Sequence, residues 1–252
     1  MSEQPAGNGG KSADYWNGTR RPLTCLIFLA PLLAAYEAGV LWLGGRDADS
    51  IRNGADYWMR GGLEYLGLNS PWLLPGIIVT GLLVWHIARQ EAWGVSPGVL
   101  GGMLAESLLF AFALVIVGQL EEAAFQHWRA AMPAALAPER WAPLAIMCVG
   151  AGIYEEVLFR LCLLPVCYGL FRSSGLGNAW SSALAIVATS LAFSLAHYVG
   201  PAGETFRLFT FWFRTVAGLF FAALFVLRGF GITVGAHAAY DLIVGLLLGA
   251  AV

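Results

Sequence analysis

From residue 23 to the C-terminus of this 252-residue chain, apolar segments follow one another, each close to the length that crosses a bilayer. About 20 apolar residues span the hydrocarbon core as a helix. Within lipid, only helices and closed barrels satisfy their own backbone polar groups. A barrel strand alternates apolar and polar residues over about ten positions, and runs such as Leu242-Ile243-Val244-Gly245-Leu246-Leu247-Leu248 do not. The fold class is therefore all-α: a polytopic helical membrane protein of about seven or eight transmembrane helices. Charged residues make up 12% of the chain, against about 25% in soluble domains.

The segments read as spans over roughly 23–44, 72–89, 98–118, 142–171, 179–198, 208–228 and 230–250. Ile51 to Leu68 mixes Tyr57, Trp58, Met59, Leu63, Tyr65 and Leu66 with charges, as an interfacial amphipathic helix does. Residues 119–141 form a second polar stretch broken at Pro133 and Pro138. Turns are expected at Arg172–Asn178 and at Tyr198–Gly203. Residues 1–22 are polar and Gly-containing, which predicts a disordered tail ahead of a single membrane domain over 23–252. The tail is too polar for the hydrophobic region of a signal peptide, so the first apolar run is expected to remain as a span. Lys11 and the arginines divide evenly between alternate loops, so the positive-inside rule assigns no orientation. The net charge of −2 gives no footprint for nucleic acid. Cys25, Cys148, Cys162 and Cys167 form no CxxC pair and read as small hydrophobes.

Against this background, Tyr154-Glu155-Glu156-Val157-Leu158-Phe159-Arg160 sets three charges inside one of the longest apolar runs. A charge at the bilayer centre costs roughly 2.5–3.5 kcal/mol on insertion scales, so such residues line protected interiors. Residues four apart share a helix face. That spacing pairs Glu156 with Arg160, Phe193 with His197, and His237 with Asp241. An ion pair between Glu156 and Arg160 lowers the cost of burying both, while Glu155, about 100° round an α-helix, stays free to face a cavity. A hydrolase needs a base for its water and donors for the developing oxyanion. Glu155 suits the base and His197 can hold the water. His237 can donate to the substrate carbonyl, with Asp241 fixing its tautomer and orientation.

Taken in order, Glu155-Glu156-x-x-x-Arg160, Phe193-x-x-x-His197 and His237-x-x-x-Asp241 resemble the three-motif pattern of the CPBP family. These are the CAAX-processing and bacteriocin-processing intramembrane proteases, also called Abi proteins. The resemblance covers roughly residues 142–250 and implies a membrane endopeptidase with its cavity among the core helices. It implies that Glu155 and His197 activate water, that His237 stabilises the oxyanion, and that Glu156, Arg160 and Phe193 support them. CAAX-cleaving members typically carry asparagine where this chain has Asp241, although other bacterial members carry an acid there. A carboxylate repels an oxyanion, so Asp241 is expected to orient His237. No cofactor is expected. Zinc on Glu155, His197 and His237 is the alternative, but the chain has no HExxH.

The expected partners are the bilayer and a membrane-tethered protein or peptide, which the protein cleaves with glutamate-activated water in what the low lysine content suggests is a prokaryotic cell membrane. Its substrate could be a prenylated CAAX end, a secreted leader or a sorting-signal tail. Two rival classes use the same residues: a non-enzymatic immunity or scaffold protein binding a peptide, and a small proton-coupled transporter. The second calls for two similar halves with interrupted helices, and no internal repeat is evident. Glu121-Glu122 mimics the first motif without its arginine and reads as solvated. His86 and His127 read as interfacial, and Glu37 and Glu106 as cavity-lining residues or polar contacts. Trp42, Trp58, Trp72, Trp93, Trp141, Trp180 and Trp212 suit interfacial belts.

Overall fold

The computed structural model describes residues 9–45, 48–125, 141–200 and 203–247, and every regular element among them is helical. The helices are α1 (Gly9–Gly18), α2 (Pro22–Gly44), α3 (Gly54–Tyr65), α4 (Leu73–Ala88) and α5 (Pro97–Phe125). They continue as α6 (Trp141–Ser173), α7 (Asn178–Ala196), α8 (Leu208–Arg228) and α9 (Phe230–Leu242). Five of these, α2, α5, α6, α7 and α8, are long and apolar enough to cross a membrane, and α4 and α9 are shorter apolar helices. Their outward faces carry exposed Leu104, Leu109, Phe112 and Ile116 on α5 and Leu191 and Leu195 on α7. Such surfaces suit lipid and not water.

At the centre sits α9. Every residue from Phe230 to Ala238 is buried, and the helix packs on α2, α5, α6 and α8. Its run of small residues lets neighbouring backbones approach closely, as in other membrane helix pairs. Against α6 the approach is backbone to backbone: a Cβ on Gly152 would lie 2.6 Å from the Ala238 Cβ and 2.7 Å from its backbone nitrogen. Only glycine fits there, and this contact brings the α6 carboxylates onto α9.

Inside α6 the hydrogen-bond ladder widens to π-helix over Ala151–Glu155 and again over Val157–Leu163. Such widenings are rare and cluster at functional sites. Pro165 follows the second one and has no N–H to contribute to an α ladder. A third π segment, Ile243–Leu247, extends α9.

Several expectations change. Residues 9–18 of the expected disordered tail form α1: Trp16 lies 3.6 Å from the Arg228 guanidinium and Tyr15 fills the space beside Gly102. A cation held over an aromatic ring in partly desolvated surroundings stabilises by about 2 kcal/mol, which a tail reading takes no account of. Helix α5 continues through Glu121 and Glu122 to Phe125, because glutamate near a span end does not break a helix. Glu122 is exposed, whereas Glu121, expected to be solvated, is half-buried with its Oε2 out of contact with water. Pro133, Pro138 and His127 lie outside the described residues. His86 is not interfacial: it is fully buried, edge-on to Trp93 at 4.7 Å.

Candidate active site

The three motifs sit on α6, α7 and α9, and their side chains meet at one cavity of about 540 Å³. Its walls include Glu155 from α6, Phe193 from α7 with His197 just beyond its end, Arg214 and Phe221 from α8, and His237 and Asp241 from α9. A volume of this size falls in the range of small-molecule and peptide-side-chain pockets.

Glu156 is fully buried and does not reach the cavity. Its Oε1 lies 3.1 Å from Arg160 Nη1 and accepts from His237 Nδ1 at 2.7 Å. Arg160, itself 1% exposed, also donates to the Gly218 carbonyl at 3.2 Å, and its guanidinium lies 4.8 Å from the Phe193 ring centre. The intrahelical pair expected from the four-residue spacing is present. One carboxylate, however, serves both Arg160 and the His237 imidazole.

His237 is therefore oriented by Glu156 and not, as expected, by Asp241. Asp241 Oδ2 lies 3.5 Å from the other nitrogen, Nε2, with Glu155 Oε2 on the same side at 3.8 Å. The reason is the approach at Gly152, which carries the π turn of α6 directly onto the Nδ1 edge of the ring. Asp241 rides one turn along the same helix as His237 and reaches only the opposite edge. Phe221 stacks on the ring face at 4.4 Å with 17° between planes, which fixes its tilt.

His197 caps α7. Its Nδ1 is 2.8 Å from the Phe193 carbonyl, an acceptor, so Nδ1 carries the proton and Nε2 keeps its lone pair in the neutral ring. Phe193 packs edge-to-face on His197 at 5.1 Å and on His237 at 5.9 Å. One aromatic ring thus spaces the two histidines, and the Phe-x-x-x-His motif supplies both the ring and the carbonyl.

Sequence reasoning missed Asn53 and Arg214, and the extent of the network around Glu37, which it named as a cavity-lining residue or polar contact. Asn53, ahead of α3, donates from Nδ2 to Glu155 Oε1 at 2.9 Å; its signal was the Asn-Gly step that begins an amphipathic helix. Arg214 lines the cavity and is bound bidentately by Glu204 at 2.7 and 3.0 Å. Glu37 joins Arg60, Arg52 and the Tyr154 hydroxyl in a buried network. Burial alone would lower Arg52, but hydrogen bonding and charge from Asp56, with Glu37 beside it, hold it above the ordinary arginine value. Glu106 pairs bidentately with Arg228 at 2.7 Å, a polar contact away from the cavity. Among the described residues no three His, Cys, Asp or Glu side chains are grouped to hold a metal ion.

Residues 137–243 match the family model for type II CAAX prenyl endopeptidase Rce1-like proteins. Over that segment the chain is similar to Rce1-like proteins. The match contains all three motifs and agrees with the CPBP resemblance read from them. It carries the general class, a CAAX-type protease of the membrane. No curated protein and no solved structure matches the chain. Helices α2 and α3, which supply Glu37, Asn53 and Asp56, lie outside the matched residues.

Proposed function

We propose that this protein is an intramembrane endopeptidase that cleaves a membrane-tethered protein or peptide with water activated by Glu155. The observation that carries the reading is the asymmetry of the two adjacent glutamates. Glu156 is fully buried away from the cavity, with its Oε1 shared by Arg160 and His237, whereas Glu155 lines the cavity and its Oε2 faces the His237 Nε2 edge at 3.8 Å.

In the proposed sequence, Glu155 takes a proton from a water that also hydrogen-bonds to His197 Nε2. The hydroxide adds to the scissile carbonyl carbon, and the oxygen becomes an oxyanion. His237, whose Nδ1–H is committed to Glu156, donates from Nε2 as imidazolium, and the surrounding carboxylates balance that charge. Collapse of the intermediate expels the amine, which takes the proton back from Glu155; the new carboxylic acid then gives its proton to the amine, leaving a carboxylate and an ammonium as products. Asp241 faces the same Nε2 edge, so in its protonated form it is a second oxyanion donor, the part an asparagine amide would play. A prenylated CAAX end is the substrate class the family description favours.

The test uses purified protein in liposomes with a farnesylated Cys-aliphatic-aliphatic-X peptide, and membrane extracts screened for released peptides. Glu155→Gln keeps the shape but removes the base, so cleavage should fall by roughly 10²–10⁴-fold while peptide binding persists. Full cleavage by Glu155→Gln would overturn the mechanism. Normal biological activity in that variant without cleavage by either protein would favour the peptide-binding reading. Activity that chelators abolish and zinc restores would replace glutamate-activated water with a metal.

A further inference from the structure

The two carboxylate oxygens of Glu155 have different surroundings. Oε1 accepts from Asn53 Nδ2 at 2.9 Å, and Oε2, on the His237 side, has no hydrogen-bond partner among the described residues. Asn53 is the N-cap of α3: its backbone is extended at φ −62, ψ 150, and its Oδ1 accepts from the Ala55 N–H at 2.8 Å. An N-cap oxygen serves one of the helix's orphan N–H groups. With the oxygen so committed, the amide cannot turn round, because a flip would lose the cap and point an oxygen at a carboxylate. The cap therefore dictates that an N–H faces Glu155.

Asn53 is itself held. Its backbone N–H donates to Tyr36 Oη at 3.1 Å, and that hydroxyl donates to Asp56 Oδ2 at 2.8 Å. Asp56, with no exposed surface, pairs with Arg52 at 2.7 Å and Arg60 at 2.6 Å. Arg60 continues to Glu37 at 3.0 Å, and Glu37 accepts from the hydroxyl of Tyr154, the residue before Glu155. The chain of contacts thus starts and ends on the same turn of α6. A helix that merely rides at the interface needs no buried ionic network, and buried ion pairs are weak contributors to stability beside apolar packing. Supporting shells of this kind fix the geometry of the groups that react.

We infer that Asn53 is a positioning residue for the general base, holding Glu155 by Oε1 so that Oε2 faces the cavity, and that the Glu37–Arg52–Asp56–Arg60 network holds Asn53 in register. The inference rests on Glu155 as the base, and it assigns a role in the reaction to α3, outside the family match.

Asn53→Ser and Asn53→Ala separate this role from simple capping. Serine keeps the cap oxygen and loses the amide donor; alanine loses both, at about 1 kcal/mol of helix stability. On the farnesylated peptide in liposomes, both variants should lose kcat by about 10–100-fold, the usual cost of a supporting-shell contact, with KM unchanged. Only Asn53→Ala should melt earlier. Restoration of kcat to the wild-type level in Asn53→Ser would reduce Asn53 to a helix cap and overturn the inference. Glu155→Gln is measured beside them: if it is fully active, the general-base reading fails and this inference with it. If Glu155→Gln is inactive while Asn53→Ser retains full kcat, the inference alone fails. The hydrogen bond is also readable without turnover, from the side-chain amide proton resonances of Asn53. These should move upfield in Glu155→Ala; resonances indifferent to that change would overturn the contact.

Discussion

Replacing Arg160 with methionine removes a cation from a site with almost no solvent. Arg160 is 1% exposed and Glu156 0%, so the carboxylate left behind cannot be rehydrated. Breaking a buried pair from one side costs about 3–5 kcal/mol. The remaining partner, His237 Nδ1 at 2.7 Å, keeps the loss from exceeding that range. At about 2–4 °C per kcal/mol for a chain of this size, the variant should melt roughly 6–20 °C below wild type. Unfolding is measured in detergent by reaction of Cys25 and Cys148, which are buried, with a thiol-reactive fluorophore, after serine replaces Cys162 and Cys167, which are not. Adding Glu156→Gln should recover most of the loss, because a neutral pair in a dry site carries no unpaired charge while the amide oxygen still accepts from His237. A single variant that accumulates and melts like wild type would refute the reasoning. If it were also inactive, Arg160 would belong to the reaction or to substrate binding.

Asp241→Asn should keep kcat within about tenfold of wild type or raise it, since an amide donates to an oxyanion without needing a proton; a loss beyond 100-fold would make the carboxylate itself essential. Gly152→Ala places a Cβ 2.7 Å from the Ala238 backbone nitrogen, so α6 and α9 must separate. That overpacking should destabilise by about 1–3 kcal/mol and depress kcat through Glu156 and His237, as thermal melting and turnover would report. A Gly152→Ala protein as stable and active as wild type would refute the close approach. Glu156→Ala strips His237 of its Nδ1 acceptor and Arg160 of its counter-ion, and should lower both melting temperature and kcat, whereas Glu156→Gln should spare more of each.

Much of this architecture was legible because lipid makes few demands and makes them strictly. The spans near 23–44, 179–198 and 208–228 match α2, α7 and α8, since apolar length alone decides them. The Glu156–Arg160 pair was legible too, because its partners lie one turn apart on one helix. Contacts between helices were not. Glu156 reaches His237 across 81 positions, and Asn53 reaches Glu155 across 102, and no local period encodes either. Asp241 was misjudged for the same reason: the four-residue rule ranks neighbours on one helix and cannot see a closer carboxylate arriving from another. The π-helical stretch escaped as well, because the 100° step between Glu155 and Glu156 assumed an ordinary α-helix. Around α3 the charges suggested a solvated face, yet Asp56 on the helix and Arg52 just ahead of it are buried against Glu37 and Tyr36. An amphipathic pattern tells which residues are polar, not whether water or protein satisfies them.

The most direct measurement is an experimental structure of Glu155→Gln with an uncleaved farnesylated peptide in the cavity. The account predicts the scissile carbonyl carbon beside the side chain of residue 155. Its oxygen should lie about 2.7–3.1 Å from His237 Nε2, the reach of an oxyanion donor, with a water between residue 155 and His197 Nε2. A peptide bound with its scissile carbonyl turned away from His237, or seated outside the Glu155–His197–His237 cavity, would contradict it.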